Sequence, residues 1–270
     1  MTAAPPLPRR VGWLLNGFRW YVRRFLRKNF HAVRLSRDSS AIPADGEPLL
    51  IVTNHPSWWD PMLGAFLLDL FPKHAHYGAI DAEMLEKYRV FKKLGFFGID
   101  TESLRGAAQF LKIGTAILSA PGRAVWVTAQ GEFADVRQRP LNLKPGVGHL
   151  AARMPRGWVL PVAVEYCFWN ERTPEALVRI GEPLAIREGE APAEPKVAAK
   201  AWTVRIEAAL THTLDELNAD AMSRDPARFR ALLGGKTGAG GAYDFVRRLG
   251  SWMRFRRFDP THDAAKAVKG

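Results

Sequence analysis

Apolar and polar positions fall in alternating blocks along this chain. The run Pro48-Leu49-Leu50-Ile51-Val52-Thr53 is apolar at successive positions and flanked by turn residues, which predicts a short buried strand. A helix starting near Pro56 or Ser57 and running through residues 62–68 follows it. The succession then repeats. Residues 75–80 predict a strand, 81–93 a helix ending at Gly95, and 95–101 a second short strand. Residues 102–119 predict a helix packed through Leu104, Ala108, Leu111, Thr115 and Leu118, and 124–129 a central strand. Residues 158–166 form an apolar run containing Pro161, which argues for an edge strand or a bulge, and 177–186 predict a further strand. A long helix over 196–220 turns Val197, Trp202, Ile206, Leu210 and Leu214 inward. Strands and helices alternating over 45–190 predict an α/β fold: one domain with a mixed, mainly parallel sheet flanked by helices.

The flanks differ from this middle. In residues 9–35, Val11, Leu14, Leu15, Phe18, Tyr21, Val22, Phe25 and Leu26 recur at helical spacing, while Arg19, Arg23 and Arg27 follow one another on another face. With Trp13, Trp20 and Tyr21 this makes a basic, aromatic amphipathic helix of the kind that lies in a headgroup layer. Packing of the same helix on the core, with its arginines solvated, is the competing reading. Residues 36–47 are polar and turn-rich, a linker. After Asp225 the chain carries Gly234-Gly235-Lys236-Thr237-Gly238, which is no phosphate-binding loop because Arg230 occupies its first glycine position. A glycine-rich hinge and a second basic, aromatic stretch over 243–258 are expected there. The expected organisation is a membrane-associating helix over 1–40, an α/β domain over 41–225, and a hinge with a basic tail over 226–270.

Charge and cysteine content narrow the partners. The chain has 270 residues, a formal net charge of +12 and 47% hydrophobic residues, which suits one sizeable core and an anionic partner. No nucleic-acid-binding pattern accompanies the charge, so an anionic membrane surface is the expected partner. The one cysteine, Cys167, excludes an intrachain disulfide and lies in an apolar run, where packing is expected. His74 and His76 alternate without a third ligand nearby, so no metal site is expected. No apolar stretch reaches the ~18 residues of a spanning helix, and no signal peptide is read at the N-terminus. The expected location is the cytoplasmic face of the cell membrane, peripheral or monotopic.

Candidate chemistry gathers at Asn54-His55-Pro56-Ser57-Trp58-Trp59-Asp60. Pro56 biases His55 toward extended backbone, so the histidine stands at the end of the strand, across a tight corner from Asp60. A carboxylate on one imidazole nitrogen fixes the tautomer and leaves the other nitrogen free to take a proton. The same spacing also fits a Ser-x-x-acid capping pattern, in which Asp60 would only stabilise a helix start.

The corner resembles the His-x-x-x-x-Asp box of the glycerolipid acyltransferases, the family of the 1-acylglycerol-3-phosphate acyltransferases. His55 and Asp60 match its defining positions, and Asn54 the asparagine that often precedes them. The resemblance covers about residues 45–170. Gly95-Phe96-Phe97-Gly98-Ile99-Asp100-Thr101 is similar to the second box, with Thr101 at the usual arginine and Arg105 one turn further as a substitute. The third box, usually Phe-Pro-Glu-Gly-Thr-Arg, is here Thr128-Ala129-Gln130-Gly131-Glu132-Phe133, with only Gly131 retained. Arg137 and Arg139 follow and suit an anion, or are solvated loop residues. Lys144-Pro145-Gly146-Val147-Gly148 is similar to the family's lysine-glycine turn, and residues 158–166 to its fourth box.

The resemblance implies an enzyme of lipid biosynthesis that moves a fatty acyl group from an acyl thioester to a lysophospholipid hydroxyl, such as that of lysophosphatidic acid. No cofactor is implied; acyl-CoA or acyl-ACP (acyl carrier protein) is the donor substrate, and a lipid is the acceptor. His55 and Asp60 are the expected catalytic residues. Asn54, Thr101, Arg105, Gln130, Gly131, Glu132, Arg137, Arg139 and Lys144 are the expected substrate contacts. The altered second and third boxes keep two alternatives open: transfer to a glycolipid or other hydroxylated lipid, and a catalytically inactive membrane lipid-binding protein.

Overall fold

The computed structural model describes residues 5–100, 103–189 and 194–235. Among them the sheet has nine strands: β1 (Ala32–Ser36), β2 (Leu49–Thr53), β3 (Ala75–Asp81), β4 (Phe96–Ile99), β5 (Arg123–Thr128), β6 (Gly157–Cys167), β7 (Glu175–Ile180), β8 (Leu184–Ile186) and β9 (Phe229–Gly234). Their order is β4-β3-β5-β2-β6-β7-β1-β9, with β8 paired to the start of β6. The pairs from β4 through β6 are parallel, as is β7 with β1, whereas β6–β7, β6–β8 and β1–β9 are antiparallel. The fold is therefore the single α/β domain with a mixed, mainly parallel sheet read from the block pattern.

Helices α1 (Gly12–Asn29) and α2 (Asp60–Leu67) cover one face, and α4 (Leu104–Leu118), α5 (Gly146–Ala151) and α6 (Pro195–Ser223) the other; α3 (Ala82–Lys87) packs beside β4. Strand β2 shows why its sequence is apolar throughout. Leu49 and Ile51 enter the layer under α1 and α2, and Leu50 and Val52 the layer under α4 to α6. Helix α5 crosses α6 so closely that a Cβ on Gly148 would stand 2.1 Å from Thr203 Oγ1 and 2.3 Å from the Ala199 carbonyl.

Several expectations are corrected. Helix α2 starts at Asp60 rather than at Pro56 or Ser57, because Trp58 and Trp59 form a turn and Pro61 then fixes the first helical turn. Helix α4 buries Gly106, Phe110, Gly114, Ile117 and Leu118, while Leu104 is 92% exposed, so the inward stripe is rotated from the expected one. In α6, Ile206, Leu210 and Leu214 are buried, but Val197 faces solvent. Pro161 lies in a central strand, between the stretch of β6 that pairs with β8 and the stretch that pairs with β7. The expected strand over 177–186 divides into β7 and β8.

The sheet also draws on both flanks of the expected 41–225 domain: β1 lies within 1–40 and β9 within 226–270. Strand β1 was hidden by its polar residues, which the fold buries in partnership. Arg34 Nε donates to Glu175 at 2.9 Å, and Ser36 Oγ donates to Asp220 at 2.8 Å. Helix α1 lays Val22 and Leu26 against the core, and Arg19 and Arg23 pair with Asp69. Trp13, Trp20 and Tyr21 stay exposed, as do Arg24, Arg27 and Lys28. No described helix is long and apolar enough to cross a membrane. The stretch 243–258 lies outside the described residues.

Candidate active site

The site begins where β2 ends. Asn54 is buried, and its amide spans to β6: Nδ2 donates to the Val164 carbonyl and the Val164 N–H donates to Oδ1, both at 2.8 Å. Both ends of the side chain are consumed by backbone. The expected substrate contact at Asn54 is thus corrected to a clamp that seats the corner. Gln130 works similarly. Its Oε1 accepts the His55 N–H at 2.9 Å, and its Nε2 donates to the Leu141 carbonyl at 3.3 Å, in a position only 3% exposed. It positions His55 and is no surface for a substrate.

His55 and Asp60 meet as the spacing predicts. His55 Nδ1 lies 2.6 Å from Asp60 Oδ2. The carboxylate can only accept, which assigns the proton to Nδ1 and leaves the Nε2 lone pair free. Asp60 is itself held: the Ser57 N–H donates to Oδ2 at 3.2 Å, and the Tyr166 hydroxyl donates to Oδ1 at 2.8 Å. The Ser57 N–H contact lies in the turn before the helix: α2 starts at Asp60 itself, with Trp59 at its N-cap position and no side-chain cap there, so the capping reading of the spacing is corrected and the histidine contact stands. Burial, and then the negative charge of Asp60, raise the Tyr166 hydroxyl well above its usual range and keep it a donor. Sequence reasoning missed Tyr166. Its signal was a hydroxyl at the far end of the apolar run 158–166, but the contact depends on β6 running past the end of β2.

The remaining expected contacts divide. Gly131 turns the chain at φ +72°, and the aliphatic stem of Lys144 packs against it, with Cγ 3.1 Å from where a Cβ would be. Glu132 and Phe133 are exposed on the loop that follows, and the Phe133 ring lies 4.5 Å from the His55 ring, centroid to centroid. The Ala134 N–H donates to the His55 carbonyl at 3.0 Å and ties the loop to the corner. Arg137 forms a bidentate pair with Asp135, at 2.8 and 2.6 Å. Arg139 is bound to Asp215 on α6 and to the carbonyls of Val136 and Gln138. This corrects its expected role, because the guanidinium is spent on the fold. Arg105 is exposed on the first turn of α4, with no contact to the corner among the described residues. Thr101 lies outside the described residues.

Two other groups are settled by their surroundings. His76 accepts from Trp126 Nε1 at 3.1 Å and donates from Nε2 to the Phe71 carbonyl at 3.1 Å, and burial lowers it to about 4. It is a neutral cross-link between β3 and β5. Burial, reinforced by Glu165 and Glu175, pushes the Cys167 thiol up to about 12, far from reactive.

The model of the family described as Acyltransferase matches residues 24–165, just over half of the chain, and includes the whole corner. This chain belongs to the acyltransferase family. Among solved structures, the acyltransferase is similar to the crystal structure of the 1-acyl-sn-glycerophosphate (LPA) acyltransferase, PlsC, from Thermotoga maritima. The TM-score is 0.50 at 16% identity, over 76% of this chain and 80% of that one. The two share a fold. No curated protein matches this acyltransferase.

Proposed function

We propose that this acyltransferase moves a fatty acyl group from an acyl thioester, carried by coenzyme A or acyl carrier protein, to a lipid hydroxyl at an anionic membrane surface. One observation carries the chemistry: His55 Nδ1 is held 2.6 Å from a buried carboxylate that is itself anchored by Ser57 and Tyr166. His55 Nε2 takes the acceptor's hydroxyl proton as its oxygen attacks the thioester carbonyl. The C–S bond breaks, the ester C–O bond forms, and the proton leaves with the thiolate as a free thiol. Asp60 steadies the imidazolium in between.

The membrane surface is supported by the exposed Trp13, Trp20 and Tyr21 of α1 beside exposed Arg24, Arg27 and Lys28. The place proposed for the enzyme is the cytoplasmic face of the cell membrane, where such cations meet anionic lipid. Lysophosphatidic acid, the acceptor for which the T. maritima enzyme is named, is the first acceptor to try. A second reading, transfer to a glycolipid or other uncharged hydroxylated lipid, is favoured by the ion pairs that occupy Arg137 and Arg139.

The test is free-thiol release from palmitoyl-CoA and palmitoyl-ACP on anionic vesicles, with products identified by mass. Wild type should form an acylated lipid and His55→Ala should lose at least about 10³-fold in rate, the scale of removing a general base and its tautomer control. Retention of most turnover by His55→Ala would sink the general-base role.

A further inference from the structure

The loop that follows Gly131 stands directly beside His55. It is fixed to the corner at both ends, by Gln130 on the His55 N–H and by the Ala134 N–H on the His55 carbonyl. Between these ties it presents Glu132 and Phe133. Phe133 is 62% exposed, yet its ring rests on the imidazole at 4.5 Å and 49°. The ring is an apolar surface open to solvent directly beside the imidazole, where the apolar face of a ligand can meet it.

The charges around it do not suit a phosphate. A phosphate monoester is bound best by planar, bidentate guanidinium groups. The nearby Arg137 is closed on Asp135, and Arg139 on Asp215. What remains on this loop and its neighbour is one carboxylate, Glu132, and one ammonium, Lys144, whose stem packs on Gly131. Their charges cancel, and Glu132 repels a dianion. An aromatic face on a loop that also carries one acceptor, with one donor packed on its first residue, is instead suited to a neutral polyol ring. The C–H face of a sugar carries partial positive charge and meets the negative face of the phenyl ring. Its hydroxyls donate to the carboxylate and accept from the ammonium.

We infer that the acceptor is a glycosyl lipid whose sugar ring lies on Phe133, with Glu132 and Lys144 holding its hydroxyls and one free hydroxyl directed at His55 Nε2. The inference rests on the acyl-transfer reading above and names its acceptor. The step is the same ester exchange: the sugar C–O–H loses its proton to Nε2, the sugar oxygen takes the acyl carbon, and the thiol departs with the proton.

The experiment uses the full chain on anionic phosphatidylcholine–phosphatidylglycerol vesicles of constant surface charge, carrying monoglucosyl-diacylglycerol, monogalactosyl-diacylglycerol or lysophosphatidic acid, with palmitoyl-CoA as donor. Wild type should acylate a glycosyl lipid with the higher kcat/KM. Phe133→Ala should raise KM for that lipid about tenfold with little change in kcat, and Phe133→Tyr should restore it. The ring is exposed, so the fold does not depend on it. A higher kcat/KM for lysophosphatidic acid in wild type, or an equal effect of Phe133→Ala on both acceptor classes, overturns the inference while leaving acyl transfer intact.

A second arm needs no turnover: binding of wild type and Phe133→Ala to lipid nanodiscs with and without monoglucosyl-diacylglycerol. Sugar-dependent binding lost in Phe133→Ala supports the sugar site even where no product forms, and then the failure lies with the catalytic reading. Binding that ignores the sugar headgroup, when no glycosyl lipid is acylated either, overturns the inference.

Discussion

Replacing Asp60 with asparagine separates the two services the carboxylate performs. Three donors converge on it, from His55 Nδ1, Ser57 N and Tyr166 Oη. An amide has one accepting atom and one donating group, so at least one donor must yield. The Tyr166 hydroxyl can, since it accepts as readily as it donates. The favoured arrangement puts the amide oxygen toward His55 and Ser57 and the NH₂ toward Tyr166. The Nδ1–H tautomer then survives, and only the negative charge is lost. Charges about 4 Å apart at an effective dielectric of about 20 interact by about 4 kcal/mol, and a neutral hydrogen bond returns about 1 kcal/mol of this. The net ~3 kcal/mol predicts a kcat about 10²-fold below wild type, with KM near its wild-type value. Asp60→Ala removes the tautomer control as well and should fall lower, toward the ~10⁴-fold loss seen when such a histidine is wrongly protonated. The assay is free-thiol release at saturating acceptor, with thermal melts confirming that each variant is folded. Asp60→Asn within about threefold of wild type, beside an inactive His55→Ala, would refute the charge argument; Asp60→Asn equal to Asp60→Ala would refute the retained tautomer.

Two further predictions concern stability. Burial raises Glu165 to about 7 against the pull of Arg137, so the folded protein holds a proton there that the unfolded chain releases near 4.5. The folded state binds more protons in that window, and stability should fall as pH rises from about 4.5 through about 7. Glu165→Gln keeps the hydrogen-bonding shape without the charge, so the loss in melting temperature between pH 5 and pH 8 should shrink; an unchanged difference would assign the pH dependence elsewhere. Gly148→Ala drives a Cβ into Thr203 Oγ1 and the Ala199 carbonyl on α6. It should cost about 1–3 kcal/mol and lower the melting temperature by about 2–12 °C, and a shift within about a degree would show that the two helices have room to part.

What the sequence disclosed and what it hid differ in kind. His55 and Asp60 were legible because the corner is local: a strand, a proline and a helix start within seven residues determine where both side chains go. Strand β2 was legible because burial on both faces makes it apolar throughout. Strands β1 and β9 were not, since Arg34 and Ser36 read as surface until Glu175 and Asp220 arrive from elsewhere in the chain. Tyr166 was missed for the same reason, standing 106 residues from Asp60. Asn54 and Gln130 stand at the corner but hold backbone there, and Arg139 is bound to Asp215 on α6. A polar residue beside a catalytic corner reads as a ligand for substrate, and only the structure shows that backbone or an ion-pair partner has already taken its hydrogen-bonding groups.

That division of tasks has a mechanistic consequence. A general base must be held tightly enough that its free nitrogen meets the acceptor in one geometry. Here three of the groups that hold the corner are interior side chains: Asn54 binds it to β6, Gln130 binds it to the turn after β5, and Tyr166 fixes Asp60. None of these positions is free to vary with the substrate. On the proposed function, recognition falls to the loop over 131–137, whose Phe133 ring meets His55 without positioning it, and to Lys144 packed on Gly131. Changes on that loop can therefore alter which hydroxyl is presented while the dyad stays intact. This is the pattern in the third box, where a departure from Phe-Pro-Glu-Gly-Thr-Arg at five of six positions accompanies an unbroken His55–Asp60 contact.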